Sequence, residues 1–192
     1  VGLRRPLLWL LLALPGGWIF GRWGLTPDTY GYGNAVADSG DWAAWLLMAA
    51  MAVTPLRLMT GRAAWTGWLL KRRRDLGVAS FAYAALHLGI YLWRKGPGGY
   101  WIDEFWEPWL LAGWAGFALF VPLAITSNDA SMKALKRGWK RLHRLVYPAA
   151  VLVFSHWIMS AFNPLVAWIN AGILLAIELA RVVLQARARS KA

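Results

Sequence analysis

Apolar stretches long enough to cross a bilayer follow one another along almost the whole chain, and that succession leaves few folds open. A hydrocarbon core of ~30 Å takes about 20 helical residues. Six stretches of 18 to 21 residues meet that need, at about 6–23, 42–59, 76–93, 108–126, 142–162 and 165–184. In lipid the backbone has no water to bond, so segments of this kind predict helices. The expectation is an all-α fold, a single-domain six-transmembrane-helix bundle over residues 1–192. An apolar fraction of 59% and a mean hydropathy of +0.42 agree with it. Residues 2–20 pair a basic start with an apolar run, but apolar aromatics continue past Pro15-Gly16-Gly17. They are read as a first span loosened at that tripeptide, not as a cleaved leader.

Charge then orients the bundle. Of the 21 cations, 18 fall on one side: the N-terminus, the connections 60–75 and 127–141, and the tail, with the residues flanking them. The other side carries Arg22, Arg94 and Lys95, and six of the nine acids: Asp28, Asp38, Asp41, Asp103, Glu104 and Glu107. The positive-inside rule places both termini in the cytoplasm of a multi-pass inner-membrane protein. In a soluble chain a net charge of +12 would suggest nucleic acid; here it is a topology signal, and no nucleic-acid partner is expected. Cysteine is absent, which excludes disulfides, iron–sulfur clusters and thiolate chemistry. Most of the 15 Trp fit an interfacial aromatic belt. The loop 24–40, with Asp38-Ser39-Gly40, reads as turn-forming, and no internal repeat is evident.

Chemistry is left to three histidines, His87, His143 and His156, all in apolar segments. His87 is ~12 residues into span three and His156 ~13–14 into span five, and both spans run outward. At ~1.5 Å per residue both sit ~18–21 Å from the cytoplasmic entry. Two neutral imidazoles at one depth on facing helices suit the two axial positions of a haem iron. Small residues nearby, Gly77, Ala79, Ala82, Ala84, Ala85, Ala149 and Ala150, leave room beside the helices, and Pro148 bends span five. The competing reading is a pair of histidines that hydrogen-bond helices together.

His143 lies 13 residues before His156, so both rings face about the same side of one helix, ~20 Å apart. It has no histidine partner at its level. The matching level of span three is Arg74 or Asp75. Arginine does not ligate iron readily, but it holds a propionate, a flavin phosphate or a quinone oxygen. His143 and Arg74 therefore mark a candidate second cofactor site for haem, flavin or quinone. An interfacial, solvated His143 is the competing reading. Glu178 is read either as a proton relay or as a partner of Arg181.

Several blocks, in order and spacing, resemble the MsrQ family, which lies within the ferric-reductase-like transmembrane superfamily. They are Thr54-Pro55-Leu56-Arg57, Arg72-Arg73-Arg74-Asp75-Leu76-Gly77, Tyr83-Ala84-Ala85-Leu86-His87-Leu88, Leu123-Ala124-Ile125-Thr126-Ser127 and Trp139 to Tyr147, followed by His156. The resemblance runs from about 25 to 185. It implies b-type haem held by His87 and His156, with flavin mononucleotide (FMN) also associated. It implies electrons taken from the quinone pool or a cytoplasmic flavin reductase. It implies delivery to MsrP, a periplasmic molybdopterin subunit that reduces methionine sulfoxide in proteins. Superfamily members carry two bis-histidine haems; this chain departs from them at the inner position of span three. No catalytic residue is expected, and substrate reduction falls to the partner. The acidic loop Asp103–Glu107 is a candidate docking surface. Two alternatives stand beside this reading: a metal reductase or quinol-linked cytochrome without that partner, and a small transporter or structural membrane protein.

Overall fold

A computed structural model describes residues 4–61, 63–96 and 98–190; the cations Arg62 and Lys191 and the loop residue Pro97 lie outside the described residues. Every regular element among those described is helical: α1 (Arg5–Leu25), α2 (Tyr32–Met59), α3 (Ala64–Lys95), α4 (Tyr100–Asp103), α5 (Pro108–Ile125), α6 (Asp129–Leu135), α7 (Arg137–Leu142), a 3-10 turn (His143–Leu145), α8 (Val146–Ser160) and α9 (Pro164–Arg189). Four of them, α2, α3, α5 and α9, are long and apolar enough to cross a membrane. Of the other two expected spans, α1 is diluted by Arg22, Pro15 and four glycines, and α8 has only 15 residues.

Helix ends depart most from the hydropathy reading. α2 begins ten residues before the expected span and α3 twelve before. Hydropathy locates hydrocarbon, whereas a helix continues until something stops it. Lys and Arg are good helix formers, so the run Lys71–Arg74 extends α3 instead of forming a loop. The turn-like Asp38-Ser39-Gly40 is absorbed into α2 by specific contacts. Tyr30 donates its hydroxyl to Asp38 at 2.6 Å, and Ser39 Oγ donates back to the Ala35 carbonyl at 2.7 Å. In the 127–141 connection, Asn128 caps α6 by accepting from Ser131 N–H at 2.8 Å. Asn163 similarly accepts from Leu165 N–H after the tight turn expected at Asn163-Pro164. The 3-10 turn before α8 has a local cause: Pro148 has no N–H to offer the carbonyl of Arg144, four residues earlier.

The closest packings are antiparallel pairs, α2 with α3 and α5 with α8. Ala44, Leu47 and Met51 of α2 meet Phe120 and Leu123 of α5, Ala149, Ala150 and Phe154 of α8, and Leu174 of α9. On its other side α2 meets Ile19 of α1 and Ala79, Tyr83 and Ile90 of α3. In lipid, association depends on close packing and interhelical hydrogen bonds. Ala79, Ala149 and Ala150, expected to leave room beside a cofactor, are buried in these helix contacts instead. Ser80 donates to the Ala43 carbonyl at 2.8 Å in the same interface. α1 and α9 turn leucines outward, among them Leu10, Leu14, Leu165 and Leu175.

α1 is fastened at three levels. Arg5 reaches Asp75 at 2.9 Å, and Trp23 sits edge-on to Trp93. Between them the Tyr83 hydroxyl enters the backbone of α1, accepting from Gly16 N–H at 2.8 Å and donating to the Leu12 carbonyl at 2.7 Å. It replaces the helical bond that would join those two groups, so the loosening at Pro15-Gly16-Gly17 is a side-chain insertion. Tyr83→Phe takes the bridging hydroxyl from two part-buried backbone groups and should cost about 1–3 kcal/mol. Thermal unfolding in detergent should show Tm falling by several degrees, while Tyr100→Phe, at a tyrosine 59% exposed, should leave it unchanged.

At the opposite end Glu104 receives Lys95 at 2.5 Å and the Tyr91 hydroxyl at 3.1 Å, tying the loop after α3 to that helix. The bond from Lys95 holds the Glu104 carboxyl below its ordinary value of 4.5. A depressed carboxyl contributes stability above its unfolded value and loses it as pH falls through the folded one. Proteolysis around residues 98–107 should therefore accelerate as pH drops below that folded value, and Lys95→Met should move the onset up toward pH 4.5.

Candidate functional site: a histidine pair and a basic cavity

His87 on α3 and His156 on α8 come together across the bundle. Their ring centroids are 5.9 Å apart and their planes 83° apart. His87 Nδ1 is 2.8 Å from the Val36 carbonyl of α2, and His156 Nδ1 is 2.7 Å from the Trp109 carbonyl at the start of α5. A carbonyl only accepts, so each Nδ1 carries the proton and each neutral ring keeps its lone pair on Nε2. A metal-ligating histidine has the same arrangement, with its other nitrogen donating to a carbonyl that fixes tautomer and orientation. With metal–nitrogen bonds of ~2 Å, two imidazoles on one ion hold their centroids ~6 Å apart.

The donor set narrows the choice. Among the described residues no group of three or more His, Cys, Asp or Glu is placed to hold a metal ion. Two neutral nitrogens without a carboxylate do not make a side-chain cage. They do fit an iron whose remaining ligands come from a macrocycle.

His143 is built differently. It opens the 3-10 turn, stacks on Trp139 with centroids 3.9 Å apart, and places Nε2 3.0 Å from the Thr126 hydroxyl. That hydroxyl already donates to the Pro122 carbonyl at 2.6 Å, so it accepts from His143. Trp139 Nε1 donates to the Thr126 carbonyl at 2.9 Å, closing the cluster. Both His143 and His156 thus contact α5, at opposite ends, as two rings on one side of a helix do.

His143 and Arg74 line one cavity of about 650 Å³ at the cation-rich end. Its walls carry Lys71, Arg72, Arg73, Lys140 and Arg144, and it deepens to Leu47, Met51, Phe81, Phe120 and Leu123. Arg74 itself bonds Asp129 at 2.7 Å on the far side of the rim. That guanidinium holds the Asp129 carboxyl below the ordinary range. Asp75, the other residue at that level, is 3% exposed and clasped by Arg5 and Arg72. Arg73 was not singled out from sequence, yet its Nη1 is 3.5 Å from the Thr54 hydroxyl of α2, as His143 is held by Thr126 of α5. The signal was there: Arg73 precedes His87 by 14 residues, close to the 13 between His143 and His156. Glu178 pairs with Arg181 at 2.6 Å, and that guanidinium lies 4.5 Å from the Tyr147 ring.

A family model described as the ferric reductase like transmembrane component matches residues 39–154, including His87 and His143 and ending two residues before His156. The chain is 42% identical over 129 residues to the protein-methionine-sulfoxide reductase heme-binding subunit MsrQ of Xanthomonas campestris pv. campestris strain B100, covering 64% of this chain and 57% of that protein. It therefore spans less than two thirds of that relative. It is 38% identical over 156 residues to the protein of the same name from Xanthomonas axonopodis pv. citri, covering 76% and 69%. The magnetosome protein MamZ of Magnetospirillum gryphiswaldense is 34% identical over 170 residues, covering 82% of this chain and 25% of MamZ. No solved structure matches. With four long apolar helices and these likenesses, the chain is a multi-pass membrane protein that belongs to the ferric reductase-like transmembrane family, on its MsrQ branch.

Proposed function

We propose that the chain is a b-type haem subunit of the bacterial inner membrane that relays electrons outward. Its donor is the quinone pool or a cytoplasmic flavin reductase, and its acceptor a periplasmic MsrP-like molybdopterin subunit that reduces methionine sulfoxide. The observation that carries this reading is the facing pair His87 and His156, each with Nδ1–H on a backbone carbonyl and Nε2 left as a donor. When bound, haem supplies a one-electron carrier that a chain without cysteine cannot make from its own side chains. Val36 and Trp109 orient the two imidazoles, and the apolar packing of Phe120, Phe154 and Ala150 keeps water out of the bundle centre. α1 and the segment α7–α8 complete a six-span bundle with both termini in the cytoplasm.

Electron entry belongs at the basic cavity. Its cationic wall suits a flavin phosphate, a propionate or a reduced quinone oxygen, and its apolar floor a ring system. His143 and Arg73 face it from α8's approach and α3, both seated on threonines of the neighbouring helix. At the outer face Glu104 is engaged by Lys95, while Asp103 and Glu107 are exposed for a partner. The family description, a ferric reductase like transmembrane component, favours a second reading: the same electron carrier serving another acceptor, such as a metal ion.

The reduced-minus-oxidised spectrum of the purified protein, with haem quantified per chain, tests this directly. His87→Ala or His156→Ala should abolish the low-spin signal, and His143→Ala should retain it. Loss of the signal in His143→Ala alone would put the ligand in the wrong place. Haem-free protein, purified from cells supplied with haem, would sink the relay. The entry site has its own test. Lys140→Glu with Arg144→Glu should slow haem reduction by a soluble quinol at least 10-fold while leaving the oxidised spectrum unchanged, and an unchanged rate would move electron entry elsewhere.

A further inference from the structure

A glycine inside a long helix weakens it relative to alanine, so each one calls for a reason. Several described here have none in their immediate surroundings: a Cβ added to Gly77, Gly89 or Gly172 would meet nothing within 4 Å. Gly40 and Gly113 differ. A Cβ on Gly40 would lie 3.0 Å from Nδ1 of His87, and one on Gly113 would lie 2.9 Å from Nδ1 of His156. These are the tightest such approaches among the described glycines of the long helices.

Their register explains the coincidence. Gly40 stands four residues after Val36, and Gly113 four after Trp109, the two residues whose carbonyls receive the imidazole protons. In a helix the carbonyl of residue i lies beneath residue i+4. A ring as broad as imidazole, aimed at that carbonyl, lies close over residue i+4, so a Cβ there would press against it. The element is built twice, once on the antiparallel pair α2 and α3 and once on α5 and α8. It amounts to a structural repeat, although no sequence repeat announces it.

We infer that Gly40 and Gly113 are positioning residues: the absent Cβ lets each imidazole seat against the neighbouring helix, which fixes its tautomer and turns Nε2 toward the opposite histidine. The consequence for haem rests on the function proposed above; the seating of the rings does not.

The test uses Gly40→Ala and Gly113→Ala in the full chain. Gly116→Ala serves as control at the same α5–α8 interface, where a Cβ meets Val153 at 3.4 Å and no histidine, and Gly89→Ala as control in open space. Nitrogen NMR of [15N]histidine-labelled protein reads the tautomer. Haem transfer to apomyoglobin reads affinity, and a redox titration reads the midpoint potential. Gly40→Ala and Gly113→Ala should shift the Nδ1 signal of the contacted histidine and lower haem affinity about 10–100-fold. They should also raise the midpoint potential, because an imidazole with a weaker Nδ1–H bond donates less to the ferric ion. Gly116→Ala and Gly89→Ala should leave all three as in the wild type. If the two histidine-facing variants match Gly116→Ala in tautomer, affinity and potential, the inference is overturned. A wild-type protein that holds no haem defeats the proposed function, while the NMR result still decides the seating.

Discussion

A neutral imidazole inside a bilayer has one N–H to satisfy and one lone pair to place, and the helix pairs are arranged around that requirement. His87 and His156 each give the N–H to a backbone carbonyl on the adjacent antiparallel helix. An unsatisfied polar group in hydrocarbon costs several kcal/mol, so these bonds hold helix position as well as ring orientation. They also leave Nε2 of each ring without a bond to the neighbouring helix, with the two ring centroids 5.9 Å apart. The small buried residues Ala79, Ala149 and Ala150 allow the backbones to come close enough.

Electrostatics divides the molecule along the same axis. On the cation-rich side each described acid is paired with arginine: Asp75 with Arg5 and Arg72, Asp129 with Arg74, Glu178 with Arg181. Lys71, Arg73, Lys140 and Arg144 have no ion pair among the described residues and line the cavity. Positive charge thus surrounds the cavity at that end. On the acid-rich side the contacts are local, Tyr30 with Asp38 and Lys95 with Glu104, and they tie loops and helix ends. A gradient of this form favours anionic carriers at one end and leaves the other available to a protein partner.

Much of this was legible in the chain because it depends on distances along helices. The matched depth of His87 and His156 follows from a fixed rise per residue, and a bundle of two facing spans turns it into a contact of 5.9 Å. The Glu178–Arg181 pair follows from i,i+3 spacing. At the inner level Arg74 and His143 line one cavity. Counting back 12 or 13 residues from His87 pointed to Arg74 and Asp75, but the residue seated as His143 is seated is Arg73. α8 is preceded by a 3-10 turn with fewer residues per turn, so equal counts along α3 and α8 do not give equal placement. Gly40 looked like part of a turn, since a glycine beside Asp and Ser gives that signal locally and nothing in its neighbourhood mentions a histidine 47 residues away.

The sequence by itself determined the solvent, the helical class and the uneven placing of charge along the chain, and it named the candidate ligands. Each of these follows from quantities that add along the chain: apolar length, charge per loop, and rise per residue. Tertiary structure decided which glycine and which carbonyl receive each histidine, and why Pro15-Gly16-Gly17 is bridged by Tyr83. Those are meetings between residues far apart in the chain, set by side-chain shape and by hydrogen bonds that must be satisfied in lipid, and no local pattern encodes them.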